Sequence, residues 1–309
     1  MLLRLLPEDV NVNFMARRKI AFAFSLLLVV GSIALFGSRG LNLGIDFLGG
    51  TMIEVKTEQG QGVEEFRAVM SDLGLGDVQI QEFGAADDLL IRIQRQPGDD
   101  VAQQAALATA KQAIDDMVVE YRRVEVVGPT VGSELQEAAI YAICFALGAI
   151  LIYIWFRFEW QFSVCAIIAL VHDVITTIGL FALLQLEFNL ATVAAVLTIA
   201  GYSINDTVVV FDRVRENIRK YKTMPFEGLT NLAINQTLSR TLMTSVTTLI
   251  ALLALSIFGG EVIRDFSIAL IWGVVIGTYS SILVAVPLLL SLEPHRGEEA
   301  GSGDAQQTV

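Results

Sequence analysis

Six long apolar runs constrain this chain more than any other feature of its sequence. They lie at 18 to 38, 136 to 156, 162 to 184, 189 to 211, 242 to 260 and 266 to 291. A helix crosses the hydrocarbon core of a bilayer in about 20 residues at about 1.5 Å each, and in that medium the backbone must satisfy its own hydrogen bonds. Only 17% of residues are charged, against about 25% in an average soluble domain. The spacing predicts six transmembrane helices.

Orientation follows from Lys and Arg in the short connections. Arg17, Arg18 and Lys19 lead into the first run, Arg157 separates the second and third, and Arg213, Arg215, Arg219, Lys220 and Lys222 separate the fourth and fifth. The opposite connections carry only Arg264. Both termini are therefore expected in the cytoplasm, as a tail over 1–17 and a tail over 293–309. The second tail, acidic and without apolar period, reads as disordered. The first run has basic flanks like a signal peptide, but it exceeds a signal h-region in length and "ALFGSRG" is a loose cleavage site. An uncleaved anchor is the expectation. Cys144 and Cys165 fall in the runs and read as small buried thiols rather than a disulfide or metal site. No zinc spacing, phosphate loop or nucleophile elbow is present, and no cofactor is expected.

About 90 polar residues separate the first two runs. Residues 41 to 130 hold 16 Asp and Glu against 7 Lys and Arg, which makes this the acidic part of a chain whose net charge is -12. "TMIEVKT" (51 to 57) alternates like a strand, "GVEEFRAVMSDLG" (62 to 74) like a helix stopped at glycine, and "VQIQEFG" (78 to 84) and "DLLIRIQR" (88 to 95) are two more strands. Asp99 to Glu120 reads as a long helix and "YRRVEVVG" (121 to 128) as a closing strand. The order βαββαβ predicts an α+β, ferredoxin-like module over 39–132 on the outer, periplasmic side. It contains no constellation for catalysis, and a docking module is the expectation.

Charges inside the remaining spans, 133–292, are expensive and seek a partner or a watery cavity. Asp206 lies six residues before Asp212, roughly 9 Å in from the helix end. It shares a face with Ser203 and Val210, with Asn205 beside it and Gly201 permitting close helix approach. The next span places Thr237, Arg240, Thr241, Thr244 and Thr248 in one polar stripe. Arg240 enters from the same side as Asp206. Two readings stand: a guanidinium that pairs with the carboxylate beside water-ordering hydroxyls, or a positive-inside anchor with threonines that aid packing. His172 and Asp173, near the midplane, read as a proton relay or, being adjacent and so pointing apart, as structural or tuning groups. A carboxylate alternating between a dry site and an arginine changes its proton affinity in opposite senses, so Asp206 fits a titrating switch.

"GIDFLGG" (44 to 50), "HDV" (172 to 174), "GYSINDTVVVFDRVREN" (201 to 217) and "TLSRTLMTSVTT" (237 to 248) together resemble the SecF family, the smaller membrane subunits of bacterial SecDF export complexes. The resemblance runs from about residue 14 to 292. It implies membership of the resistance-nodulation-division superfamily and a multi-pass location in the bacterial cytoplasmic (inner) membrane. It also implies a SecD-like partner, the Sec translocation channel and emerging preprotein as partners, with no nucleic acid. The implied function is not enzymatic: the proton motive force assists late protein translocation, with protons as coupling ion. Asp206 matches the family's proton-responsive aspartate and Arg240 its partner. Asn13 stands where Asp is expected. Gly44, Asp46, Phe47, Gly49 and Gly50 read as a hinge or as plain turn chemistry. A small-molecule or lipid exporter is disfavoured by the small insert, and an intramembrane protease by the lack of a nucleophile.

Overall fold

The computed structural model describes residues 11–58, 61–259 and 261–292. The C-terminal tail expected to be disordered and the first ten residues of the N-terminal tail lie outside the described residues. Six helices are long and apolar enough to cross a membrane. They are α1 (Arg18–Arg39), α5 (Pro129–Arg157), α6 (Trp160–Leu184), α7 (Leu190–Lys220), α8 (Phe226–Phe258), and a last span of α9 (Glu261–Ser280), a π-helical turn (Ser281–Ala285) and α10 (Val286–Leu292). The π turn has a local cause in Pro287, which lacks an N–H and whose ring conflicts with the carbonyl four residues back.

Burial sorts the spans into an inner and an outer set. In the most apolar windows of α6, α7 and the last span, 50%, 50% and 67% of residues are buried, against 17%, 11% and 11% in α1, α5 and α8. The core at one end of the bundle centres on Phe162 and Phe211, whose rings meet edge to face at 5.2 Å. Further along, α9 lies so close to α7 that a Cβ on Gly277 would stand 3.0 Å from that of Ser203.

Between α1 and α5 the chain forms β2 (Gly50–Thr57), α3 (Val63–Ser71), β3 (Val78–Phe83), β4 (Ala85–Gln94), α4 (Asp100–Ile114) and β5 (Val118–Val127). The strands form one antiparallel sheet in the order β3-β4-β2-β5. Alternation puts Ile53 and Val55 of β2 with Leu89, Ile91 and Ile93 of β4 on one face, where Phe66 and Met70 of α3 and Ala106, Ala110 and Ile114 of α4 cover them. The other face offers Met52 and Leu90 to Ile45, in the segment that joins the sheet to the bundle.

That joining segment folds tightly. Two residues, β1 (Asn42–Leu43), pair in parallel with β6 (Glu187–Phe188) of the α6–α7 connection, and one helical turn, α2 (Ile45–Leu48), follows. Gly49 and Gly50 then turn the chain into β2 at φ 71° and 131°. A Cβ on Gly50 would fall 2.6 Å from the Ile93 carbonyl oxygen, so side chains are excluded there by both backbone shape and space.

Several boundaries differ from the sequence-based expectation. The helix expected to reach Glu120 ends at Ile114, because Val118 and Val119 favour the strand that pairs with β2. The fifth span begins at Phe226, not near 242, since Asn231, Asn235 and Gln236 lower its hydropathy without breaking the helix. The fourth continues to Lys220, beyond its apolar part.

Candidate functional site

Helix α7 begins with a cap. The Asn189 side chain accepts from Thr192 N at 3.0 Å while Thr192 Oγ1 accepts from Asn189 N at 3.4 Å, satisfying donors a helix start leaves bare. One face of α7 then buries Ser203, Asp206, Thr207 and Val210, as their spacing predicts. Asp206 is 3% exposed, its carboxylate makes no hydrogen bond among the described residues, and Oδ2 is enclosed without a partner. An enclosed carboxylate oxygen with no donor is costly.

Arg240 projects from α8. Two bonds set the register of these helices: Asn217 Nδ2 donates to Gln236 Oε1 at 2.9 Å, and Tyr202 OH donates to Ser245 Oγ at 3.4 Å. Asp206 and Arg240 both fall between them. Asp206 and Arg240 form no ion pair among the described residues, and Arg240 is exposed. The stripe on α8 is present, with most of its hydroxyls turned inward to its own helix. Thr237 donates to Ala233 O at 3.0 Å, Thr244 to Thr241 O at 2.9 Å and Thr248 to Thr244 O at 2.8 Å. Thr241 is the exception, buried with Oγ1 unpartnered.

The side of the site carrying Gly201, Asn205 and Arg240 is open. Gly201 reads as a point of close helix approach, but among the described residues no other part of the chain comes within 4 Å of a Cβ placed there. Cys144 is likewise exposed, contrary to expectation, while Cys165 is buried; neither is in a disulfide.

His172 and Asp173 do not point apart. Their side chains meet, His172 Nδ1 to Asp173 Oδ1 at 2.9 Å, because a rotamer change brings neighbouring side chains together even where their Cα–Cβ bonds diverge. Asp173 is fully buried, and its Oδ2 accepts from Ser203 Oγ of α7 at 2.5 Å and from Ser280 Oγ of α9 at 2.7 Å. Next to it Thr207 Oγ1 and Ser281 Oγ share a hydrogen bond of 2.8 Å. The sequence reading missed Ser280 and Ser281; "TYSS" (278 to 281), six to nine residues before Pro287 in an otherwise apolar span, was the available signal.

The "GIDFLGG" motif docks on the N-terminal end of α7. Asp46 Oδ2 accepts from Leu190 N at 2.9 Å, placing a carboxylate at a helix start, where it is favoured. Gly44 N donates to Phe188 O at 2.9 Å. Phe47 is buried against Ala139 of α5 and Val193 of α7, with the Phe188 ring 6.0 Å away. Beside it Arg92 of β4 forms an ion pair with Glu187, whose N–H donates to Asp265 at 3.2 Å. Burial pushes the Glu187 carboxyl above its ordinary range; Arg92 opposes this, while Asp46 and Asp265 add to it. One cluster thus ties the four-stranded sheet, α2 and the start of α7 together.

Comparison with known proteins agrees with these motifs. A family model described as Protein export membrane protein SecD/SecF, C-terminal, matches residues 106–295, and one described as SecD/SecF GG Motif matches residues 34–61. The protein translocase subunit SecF of Rickettsia felis is 46% identical over 288 residues, which is 93% of this chain and 94% of that one. The SecF subunit of Cereibacter sphaeroides is 46% identical over 303 residues, 96% of this chain and 94% of that one. A crystal structure of SecDF, a translocon-associated membrane protein from Thermus thermophilus, matches with a TM-score of 0.84 at 38% identity, over 94% of this chain and 40% of that chain. A SecDF structure in a super-membrane-facing form matches at 0.69 and 37% identity, again over 94% and 40%. The chain therefore spans nearly all of the curated SecF relatives and less than half of the solved SecDF chains. By family models covering both its motif and its helical bundle, and by identity along almost its whole length, the chain belongs to the SecD/SecF family of protein-export membrane proteins, with the SecF subunits.

Proposed function

We propose that this chain, paired with a SecD-type subunit, uses the proton motive force across the bacterial inner membrane to assist late steps of protein translocation. In this reading both termini are cytoplasmic, the βαββαβ domain is periplasmic, and protons are the coupling ion. The strand order β3-β4-β2-β5 supports a ferredoxin-like assignment of that domain. The Sec channel and emerging preprotein are its partners there; the chain itself is a translocation subunit rather than an enzyme.

The observation that carries the reading is the state of Asp206. Its carboxylate is buried without a hydrogen bond, within electrostatic range of a guanidinium that it does not contact. A proton on Asp206 relieves a buried charge; its loss draws Arg240 in. Helix α7, which carries Asp206, is held at its outer end by Asp46 and Phe47 of the segment that leads into the outer domain. Movement of α7 therefore has a mechanical route to that domain, with Gly49 and Gly50 at the turn. The open face at Gly201, Asn205 and Arg240 fits helices of the SecD-type partner, and Thr237, Thr244 and Thr248 line the same helix as Arg240.

The test is proton-dependent export in membrane vesicles with subunit levels matched. Asp206→Asn keeps shape but does not titrate; because no ion pair is lost, it should accumulate normally and fail to stimulate export. Normal stimulation by Asp206→Asn would refute the switch.

A further inference from the structure

The knot around Asp173 is not needed to explain Asp206, and its chemistry is unusual for a membrane bundle. Three spans converge on one carboxylate: His172 from its own helix α6, Ser203 from α7 and Ser280 from α9. The residue has no exposed surface, His172 is 5% exposed, and His172 Nε2 is enclosed without a partner. Among the described residues no Lys or Arg pairs with Asp173. The other polar groups packed here are Thr176 and Thr177, which donate to the Asp173 carbonyl at 3.1 and 2.8 Å, and Tyr279, whose ring centre is 6.2 Å from that of His172 and whose hydroxyl bonds Ser25 of α1. On α7, Asp206 follows Ser203 by three residues, on the same face.

We propose that His172 and Asp173 form a second proton-binding site, separate from Asp206, whose occupancy sets whether α7 and α9 are clasped to α6. With histidine neutral and the carboxyl ionised, this buried unit carries one negative charge and no cation offsets it. One added proton makes it neutral, which a dry bundle strongly favours. The hydrogen bonds distinguish the two states. An ionised carboxylate is acceptor-only, so Oδ2 accepts hydrogen bonds from both serines at once, the arrangement seen here. If the added proton resides on Oδ2, that oxygen donates to one serine and loses most of its capacity to accept from the other. Ser280 has an alternative acceptor already in place, the Gly277 carbonyl at 3.2 Å. Protonation therefore exchanges a three-helix clasp for a two-helix one.

The experiment uses the full chain with its SecD-type partner in proteoliposomes and follows the carbonyl band of protonated carboxyl groups by infrared difference spectroscopy as pH is varied. In Asp206→Asn a titrating band remains; in Asp206→Asn with Asp173→Asn that band disappears. Ser203→Ala in the Asp206→Asn background keeps the carboxyl but deprives its ionised form of one donor. The band should then form at a proton concentration lower by about tenfold, the effect of one hydrogen bond to a charged group. Should the Asp173 variant not assemble, the Ser203→Ala shift decides alone. No titrating band in Asp206→Asn, a band that survives loss of Asp173, or a band unmoved by Ser203→Ala overturns the proposal. None of these readouts depends on export, so failure of the Asp206 switch registers separately.

Discussion

Replacing Gly50 by alanine attacks the turn that joins bundle and outer domain without touching any charge. Gly50 has φ 131° and faces the Ile93 carbonyl oxygen, 2.6 Å from where a Cβ would sit. A non-glycine residue in such a backbone region costs about 1–3 kcal/mol, and overlap with a fixed neighbour about as much again. The neighbour cannot withdraw, because β4 is laddered to β2 from Gly50 opposite Gln94 to Lys56 opposite Asp88. The sum is about 2–6 kcal/mol, a large part of the stability of a small domain. For 60–100 residues each kcal/mol shifts the midpoint by about 4–8 °C. Gly49 is the internal control: at φ 71° and ψ 168° its backbone costs alanine about 1–3 kcal/mol as well, but a Cβ there would stand 3.2 Å from the Val127 carbonyl oxygen rather than 2.6 Å from a carbonyl, so most of the overlap cost is absent. The assay is protease sensitivity of the outer domain in the full-length membrane protein as temperature is raised. Gly50→Ala should lose protection well below wild type and below Gly49→Ala. Equal or milder sensitivity for Gly50→Ala would refute the steric reasoning.

Other outcomes follow from the same geometry. Because the docked Glu187 carboxyl is raised above its ordinary value of 4.5, docking of the joining segment takes up a proton. The Glu187 contribution is complete below that value and is lost as pH rises through the docked one; the protection of the Gly44 amide relative to its intrinsic exchange rate should fall over that range in wild type and stay constant in Glu187→Gln. Phe211→Ala empties the centre of the fully buried aromatic cluster and should destabilise the bundle by about 3–5 kcal/mol, with Phe211→Leu costing clearly less in a thermal scan. A cysteine at Thr244, on the open side of α8, should crosslink to the SecD-type partner; labelling by lipid-phase probes alone would contradict that interface.

The sequence announced its helices through long apolar runs and its outer sheet through strict alternation at Ile53, Val55, Ile91 and Ile93, because both patterns are local and repeat over many residues. The buried face of α7 was legible for the same reason. What it hid depends on contacts between distant segments. The two-residue strands β1 and β6 pair across 145 residues, from Asn42 to Glu187, and neither has a pattern of its own. The start of α8 was obscured by asparagines that serve the fold: Asn231 accepts from Phe14 N at 2.8 Å and Asn235 from Val12 N at 2.9 Å. The Asp173 knot needed Ser280, a residue type too common in spans to stand out, and its position is fixed by the packing of α9 on α7, as where Gly277 meets Ser203. The motif "GIDFLGG" was visible as a unit, but its attachment to α7 through Asp46 and Phe47 was not, since Leu190 and Val193 lie far along the chain.

The central claim is that a proton at Asp206 moves the outer domain through α7. The most direct measurement is the distance between labels at exposed Glu82 in β3 and exposed Leu184 at the end of α6, in the full complex in vesicles, with and without an imposed proton gradient. The account predicts that the gradient changes the distance distribution in the wild type and leaves it fixed in Asp206→Asn. A gradient-dependent change in Asp206→Asn equal to that of the wild type would contradict it.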